Sequence, residues 1–413
     1  MKKKRILQGA ALLPGLVAAP AMAGGAIDID GESRLNLGLS LQAHYLRNDS
    51  DLEADPANEN RFTVRRARFR LGMQVTEEVG AFLQTEYGTT EGGVGAEMRL
   101  IDAFIRYTPH PWARFYVGEN MAPTTRQHLT GHGSMLAFDR PAIINKELAW
   151  GSKAKTALQN STLPGTDAGL GTSAGVRDKG VTLFGSGPLI GALSAKYYLG
   201  AYEGSKYRVE DEERFSGRVQ VNLGDPEPGY YEGSTYLGRK RTVALGAAFD
   251  RQRGVAADAA GDPVDYAAYT VDLFLEQPLG PGSLSAETAW QSMELDGTTG
   301  FLWEADDGLP QVRLDDDAVT AEQAAGEGFY VQAGYFVQQG DRESRGWQPW
   351  ALYEEWTSEA DGDAGSFTSY RYGLTYFIKG SRANIKAGYE VTEPRAKGAD
   401  TITTAGLGFF VFY

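Results

Sequence analysis

The sequence contains no cysteine among its 413 residues and few signs of enzyme chemistry. Without cysteine there is no disulfide framework, thiolate metal site, attached haem or cysteine nucleophile. The zinc-protease and nucleotide-binding motifs HExxH and the P-loop are also missing. We therefore predict no enzymatic activity and no cofactor.

Positive charge is also scarce. The 40 basic residues are outnumbered by 54 acidic ones, which gives a net charge of −14. A nucleic-acid partner needs a basic footprint, so this balance argues against one. The 52 glycines, 21 tyrosines and 17 prolines favour β-structure with many turns. A hydrophobic share of 42% is too high for a disordered chain.

The first 23 residues have the pattern of a secretory signal peptide. Residues 2–5 are basic, residues 6–20 are mostly apolar, and Ala21-Met22-Ala23 matches a cleavage site. Cleavage would remove four basic residues and leave a mature domain, residues 24–413, with a net charge of −18. Beyond this segment no run of 18 apolar residues occurs, so no helical membrane span is predicted.

The mature sequence alternates in period two between apolar and polar residues. In residues 66–75, Phe69 and Leu71 lie on one face, and Arg68 and Arg70 lie on the other. Sixteen stretches of this kind occur: 35–46, 64–75, 79–88, 98–108, 112–119, 179–185, 192–202, 214–223, 241–250, 266–276, 283–293, 328–338, 347–357, 368–378, 383–391 and 401–413. An even number of two-faced strands predicts an all-β, 16-stranded antiparallel transmembrane β-barrel.

The connections between these stretches alternate in length. The short ones are 76–78, 109–111, 185–191, 277–282 and 379–382. The long ones are 47–63, 120–178, 203–213, 251–265, 294–327 and 358–367. Short periplasmic turns and long extracellular loops are typical of outer-membrane barrels. Connection 224–240 breaks this alternation, because it is long although it lies at the end of the barrel where the other connections are short.

Arginines on the polar faces predict a wet interior. An arginine facing lipid near the bilayer midplane costs about 2–4 kcal/mol in such barrels. Arg65 is out of phase with its neighbours, so we place it at the outer rim near lipid head groups. The predicted anion path along the lumen comprises Arg66, Arg68, Arg70, Arg106, Arg114 and Arg218. Guanidinium groups match phosphate oxygens and stay charged.

A second interpretation of the same arginines remains open. Seven carboxylates also fall on inward faces: Glu86, Asp102, Asp250, Asp272, Glu276, Glu287 and Glu354. Arginines paired with them would give a mixed, weakly selective pore. Gln220 and Asn222 follow Arg218 where a longer row of arginines would continue, and the mature chain has only 10 lysines.

Several stretches resemble the phosphate-selective porin O/P family. They are FTVRRARFRLG (62–72), IDAFIRYTPHPWARFYVGENMAP (101–123), GVRDKGVTLFG (175–185), GFYVQAGYFV (328–337) and YRYGLTYFIKGSRANIKAGYEV (370–391). The resemblance implies a 16-stranded barrel, a homotrimer, a ladder of lumenal arginines and an inward-folded third extracellular loop. That loop would be residues 120–178, with Arg126, His128 and Arg140 at the constriction. The pair His128 and His132 lies on a Gly-rich loop without helical pattern, so no metal is predicted.

We therefore expect an outer-membrane porin for passive diffusion of small hydrophilic solutes, with anions such as phosphate favoured. Its predicted partners are these solutes, outer-membrane lipid and two further copies of the chain. Three alternatives remain: a weakly selective general-diffusion porin, an exported soluble all-β binding or adhesion protein, and a structural barrel whose third loop plugs the lumen.

Overall fold

The computed structural model describes most of the mature chain. It covers residues 25–29, 33–49, 60–89, 96–145, 177–204, 210–257, 262–296, 325–340, 344–359, 361–363, 365–399 and 401–413. The predicted signal peptide, residues 1–23, and residues 146–176 of the predicted third loop lie outside the described residues. No helix in these ranges is long and apolar enough to cross a membrane.

Seventeen strands account for most of the described residues. They are β1 (Gly25–Asp28), β2 (Arg34–Asp49), β3 (Asn60–Gln74), β4 (Val79–Thr89), β5 (Ala96–His110), β6 (Ala113–Met121), β7 (Arg177–Pro188), β8 (Leu193–Tyr202), β9 (Arg214–Gly224), β10 (Thr242–Ala257), β11 (Pro263–Leu279), β12 (Gly282–Asp296), β13 (Gly326–Gln338), β14 (Gly346–Ser358), β15 (Phe367–Phe377), β16 (Ala383–Pro394) and β17 (Ile402–Phe412).

Strands β2 to β17 form a closed antiparallel barrel. Each pairs with the next in sequence, and β17 closes onto β2 with Phe412 opposite Ser40 and Thr403 opposite Asp49. Closure gives every strand two hydrogen-bonded neighbours, so the barrel has no free edge. All sixteen predicted strands are confirmed. The short β1, which the alternation did not predict, pairs with the first residues of β2.

The two faces of the barrel wall differ as the alternation predicts. On β2 and β3, Leu39 and Phe69 lie on the outer face and are 55% and 39% exposed, whereas Arg66 on the inner face is 1% exposed. The same contrast continues around the barrel, because successive residues of a strand point to opposite faces. The buried clusters of the protein therefore lie on the inner face.

The predicted position of Arg65 at the outer rim is wrong. Between β2 and β3 the register shifts: Gln42 faces Arg66, but the next residue, Ala43, faces Val64. Arg65 is the extra residue of this β-bulge, and a bulge redirects side chains locally. Arg65 is 8% exposed and lies 3.2 Å from the carboxylate of Asp139. Strict period two fails at this point, and two consecutive arginines are buried.

Candidate functional site

Residues 122–145, which we call the long-side segment, pack against polar-face side chains from several strands. The segment contains one helical turn, α1 (Arg126–Leu129), which begins after Thr125, whose hydroxyl accepts a hydrogen bond from the amide of His128. The Lys386 ammonium of β16 donates to the carbonyls of Met135 (2.6 Å) and Ala137 (2.8 Å).

The far end of the long-side segment is held by two other strands. The backbone amide of Ile143 donates to Glu354 of β14 at 3.0 Å, and its carbonyl accepts from Gln291 of β12 at 2.9 Å. Each bond gives a backbone group of the segment a partner on the barrel wall, as buried backbone groups require.

Residues 225–241, which we call the short-side segment, belong to the connection that broke the length alternation. This segment also contacts the polar face of the barrel. The backbone amides of Tyr236 and Gly238 donate to Glu276 of β11 at 2.6 and 2.9 Å. The ammonium of Lys196 on β8 lies 2.7 Å from the carboxylate of Glu232. The extra length of this connection therefore has a structural role.

The two segments meet at Arg126. Its guanidinium donates to both carboxylate oxygens of Glu227, at 2.7 and 3.1 Å, and lies 3.1 Å from Glu232. It also lies over the ring of Phe274, 3.9 Å from the ring centre. The charges of Glu227 and Glu232 outweigh burial and raise the pKa of Arg126. Arg126 therefore joins the long-side segment to the short-side segment.

Backbone hydrogen bonds continue this junction. The amide of Glu232 donates to the carbonyl of Leu129 at 2.9 Å, and its carbonyl accepts from Gly131 at 3.2 Å. The amide of Ser234 donates to the carbonyl of Ser134 at 3.0 Å. The long-side segment and the short-side segment, which come from opposite ends of the barrel, thus form one continuous hydrogen-bonded structure.

Asp139 of the long-side segment contacts a group of arginines. Its carboxylate lies 3.2 Å from Arg65 and 3.4 Å from Arg66. Burial acts to raise the pKa of Asp139, but the charges of Arg66 and Arg65 outweigh it and hold the pKa well below its usual range. Burial and the charge of Arg66 lower the pKa of Arg140 to about 9. Arg140 donates to the carbonyls of Gln127 and Thr130 at 2.8 and 2.7 Å.

His132 is held as a neutral imidazole. An arginine can only donate hydrogen bonds, so the Nη1 of Arg68, 3.2 Å away, makes the Nδ1 of His132 an acceptor. The proton of the ring is then on Nε2, which lies 3.2 Å from the hydroxyl of Ser40. Burial, followed by the charge of Arg68, lowers the pKa of His132 well below its ordinary value.

His128 has the same tautomer for a similar reason. Its Nε2 lies 3.1 Å from the carbonyl of Ile144, which can only accept, so its Nδ1 accepts from the Thr124 hydroxyl at 2.6 Å. Burial and the charge of Arg140 lower the pKa of His128 well below its ordinary value. Within the described ranges, no group of three or more His, Asp or Glu residues is arranged to hold a metal ion.

The lowered pKa of His132 predicts a pH dependence of stability. Between its folded pKa and its unfolded pKa of about 6.5, the unfolded chain binds a proton that the folded protein does not, so stability falls as pH decreases below 6.5. We expect a contribution of about 1.4 kcal/mol per pH unit. Urea unfolding at pH 6.5 and 5.5 should show a shallower dependence for His132→Gln, which keeps an acceptor for Arg68 and a donor for Ser40.

The exposed residue His110, at the end of β5, provides the matched control for this prediction. His110→Gln should leave the pH dependence as it is in the wild type. An identical slope for His132→Gln and the wild type would contradict the neutral, buried state of His132.

Many of the wall arginines are paired with carboxylates. Arg218 of β9 contacts Asp272 of β11 through two bonds, at 2.5 and 2.9 Å. It reaches across Gly246 on the intervening strand, where a Cβ would lie 2.4 Å from its Nη2. Further pairs include Arg68–Glu86 (2.8 Å), Arg177–Asp102 (2.8 Å), Arg214–Asp250 (2.6 Å) and Arg371–Glu354 (2.6 Å). Of the predicted anion path, Arg66, Arg68 and Arg218 therefore have carboxylate partners.

Three arginines of the predicted path, Arg70, Arg106 and Arg114, have neutral partners. Arg70 donates to the carbonyl of Leu39 at 3.4 Å, and Arg106 donates to the side chain of Gln74. Arg114 donates to the carbonyl of Pro228 at 2.7 Å and to the Ser186 hydroxyl at 3.1 Å. Among the described residues, none of the three forms an ion pair with a carboxylate, so their charges are not cancelled locally.

These three arginines line one cavity, which we call the vestibule. Its volume is about 840 Å³, and it extends from residues 379–382 and Ser344 at the short-turn end to residues 130–134 of the long-side segment. Among the described residues its wall has ten basic side chains and two acidic ones, Glu227 and Glu232. Both carboxylates already contact cations at the junction and on β8. The vestibule therefore has a strong positive excess.

The structure adds charged residues that the sequence did not single out for function. Glu227 and Glu232 of the short-side segment lie at the junction, and Lys196, Arg177, Arg214, Arg371 and Lys386 lie on the inner wall. The alternating pattern places the strand residues on the polar face. The unusual length of connection 224–240 was the one sequence signal for the glutamates.

A comparison with known families gives one match over nearly the whole chain. The profile of the family described as phosphate-selective porin O and P matches residues 35–393. No match was found among curated proteins.

Several solved structures are similar to this chain over most of its length at low sequence identity. The OprB structure of Pseudomonas putida is 10% identical, with a TM-score of 0.50, and 93% of this chain and 95% of that chain are covered. OmpT of Vibrio cholerae, an outer membrane protein, is 10% identical, with a TM-score of 0.49, and 94% and 99% are covered. The Salmonella typhi OmpF complex with daunomycin is 12% identical, with a TM-score of 0.49, and 94% and 100% are covered.

Proposed function

The chain belongs to the phosphate-selective porin O and P family, and from this membership we propose a pore that favours small anions, phosphate among them. The family and the barrel fold support a passive channel in the outer membrane, and both are typical of non-enzymatic proteins. The diffusing solute is driven by its own concentration gradient, so the proposed function needs no cofactor.

One observation carries the proposed anion preference: the vestibule has ten basic and two acidic side chains. A cleft with one sign of charge concentrates ions of the opposite sign and speeds their entry. Arg70, Arg106 and Arg114 supply the charge that no described carboxylate cancels. The paired arginines, such as Arg68 and Arg218, favour a weaker selectivity than a continuous ladder would give.

We also propose that connection 120–178 narrows the pore. Its support is the set of bonds that join the long-side segment to Lys386, Glu354 and Gln291 on different strands. In this proposal Arg126 and His128 stabilise the constriction, because their partners are other protein groups. Arg140 contributes charge near the vestibule, where it is one of the lining residues.

Single-channel recording tests the proposed function. The folded full-length mature protein, incorporated into planar bilayers under a KCl gradient, is expected to conduct, with a reversal potential that favours chloride. Phosphate added to one side should reduce the chloride current by competing for the same basic groups. A potential that favours potassium would reject the anion preference, and absence of conductance would favour a plugged structural barrel.

Export and assembly are further parts of the proposal. Residues 1–23 would be removed on export, so the mature protein isolated from membranes should begin at Gly24. The family resemblance supports a homotrimer, and mass measurement of the folded protein in detergent should give three chains per particle. A soluble periplasmic monomer would contradict both the membrane location and the assembly.

A further inference from the structure

The vestibule wall combines charge with aromatic rings. Tyr116, Phe184 and Tyr231 line it together with the three arginines that lack carboxylate partners. A water-filled barrel lumen is expected to be polar. Inorganic phosphate would use the guanidinium groups alone, so passage of phosphate leaves the rings without a role in recognition.

The rings form one connected group. The ring centre of Tyr116 lies 5.0 Å from that of Phe184 and 4.7 Å from that of Tyr230, and Tyr230 lies 5.2 Å from Tyr231. Spacings of this size are those of interacting aromatic pairs. The group seats the short-side segment against β6 and β7, and all four rings also border the vestibule.

Arg114 connects the two parts of the wall. It lies opposite Phe184 in the β6–β7 register, and its guanidinium carbon is 5.2 Å from the centre of that ring. Its Nη atoms donate to Pro228 and Ser186, whereas its Nε has no hydrogen-bond partner among the described residues. A cationic donor therefore lies directly beside an aromatic surface.

The size of the vestibule suits an organic molecule. Small-molecule sites usually measure about 300–1,000 Å³ and combine apolar walls with a few placed polar groups. The vestibule, at about 840 Å³, falls in this range. Its two carboxylates are bound by Arg126 and Lys196, so they do not oppose an incoming anion.

We propose that the vestibule binds organic anions with a planar aromatic ring, aromatic carboxylates being the class it fits. The carboxylate accepts hydrogen bonds from Arg114 and its basic neighbours. The ring packs against Tyr231, which is partly exposed, whereas Tyr116 and Phe184 are 4% and 2% exposed and support Tyr231 through Tyr230. This inference rests on the proposed anion preference and narrows it to a solute class.

Isothermal titration calorimetry of the folded full-length mature protein in detergent tests the proposal. The probes are benzoate, cyclohexanecarboxylate, inorganic phosphate and benzylammonium. Cyclohexanecarboxylate has the charge and approximate size of benzoate but no planar π-system. We expect benzoate to bind about tenfold more tightly than cyclohexanecarboxylate, as one or two aromatic contacts provide. Benzoate should also bind more tightly than phosphate, and benzylammonium should not bind.

Variants separate the two parts of the site. Arg114→Gln should weaken both carboxylates by about tenfold or more, because it removes a charged donor. Tyr231→Leu should weaken benzoate and leave cyclohexanecarboxylate unchanged. The controls are Arg34→Gln, which alters an exposed arginine paired with Asp28, and Tyr353→Leu on the outer face of β14; neither should change binding.

The outcomes distinguish this inference from the proposed function. Equal affinity for the two carboxylates, or binding of phosphate alone, would overturn the aromatic preference even if the bilayer recordings show an anion channel. Benzoate binding that depends on Arg114 and Tyr231, in a protein without conductance, would support the site and reject the channel.

Discussion

Replacing Arg126 by methionine is expected to lower the free energy of unfolding by about 3–5 kcal/mol, because it leaves the buried carboxylate of Glu227 without its cation. Arg126 contacts Glu227 through two hydrogen bonds and Glu232 at 3.1 Å, and all three side chains are almost fully buried. The measurement is unfolding of the barrel by urea in detergent. The folded fraction is monitored by the heat-modifiable migration on gels, which is lost on unfolding.

The same substitution should raise the single-channel conductance. Arg126 joins the long-side segment to the short-side segment through Glu227 and Glu232, so its loss weakens the contact between them. If these segments narrow the pore, a weaker junction opens a wider path for ions. Larger and noisier current steps in KCl are the expected result.

A charge-matched variant provides the control. Arg126→Met combined with Glu227→Gln removes the cation and the carboxylate that it contacts through two hydrogen bonds, while Glu232 keeps Lys196 as its partner. Replacing a buried ion pair by neutral residues is often close to neutral in stability, so this variant should recover much of the loss. Wild-type stability and conductance in the Arg126→Met variant would contradict the role of the junction.

Neutralising the vestibule arginines is expected to have the largest effect on ion selectivity. The variant Arg70→Gln, Arg106→Gln, Arg114→Gln should lower the ratio of chloride to potassium permeability by on the order of tenfold, the scale at which charged clefts concentrate counter-ions. Glutamine keeps a hydrogen-bond donor at each position. The reversal potential in a KCl gradient measures the ratio.

The control variant removes one positive and one negative charge together, so the net charge of the barrel wall does not change. Arg218→Gln combined with Asp272→Asn deletes one ion pair, whose atoms lie 2.5 Å apart, and leaves the net charge unchanged. Its reversal potential should equal that of the wild type. Arg68 alone is a poorer test, because its removal would also leave Glu86 without its partner. An unchanged permeability ratio in the triple variant would reject the proposed anion path.

The barrel could be predicted from the sequence because alternation is a local property. Each residue's face depends only on its parity along the strand, and lipid outside and water inside require opposite residue types. Arg65 marks the limit of this reasoning. One extra residue in a bulge changes the parity, and the register with Gln42 and Ala43 decides where it lies.

The site was less predictable because its contacts join distant parts of the chain. The alternation placed Arg218 and Asp272 on the polar face, but their pairing depends on the register of three strands and on the missing side chain of Gly246. Glu227 lies 101 residues from Arg126 and in a connection with no alternating pattern. Its role follows only from the path of that connection in space.

The sequence by itself determined the closed barrel, its two faces and, with the exception of Arg65, the arginines that point away from lipid. Tertiary structure alone decided which of those arginines have no carboxylate partner among the described residues. Arg68 and Arg218 lie beside carboxylates, whereas Arg70, Arg106 and Arg114 lie beside neutral groups at the vestibule. The physical reason is that the face on which a side chain lies depends on the position of its residue along the strand. Its electrostatic partner depends on which distant segment of the chain packs against that face.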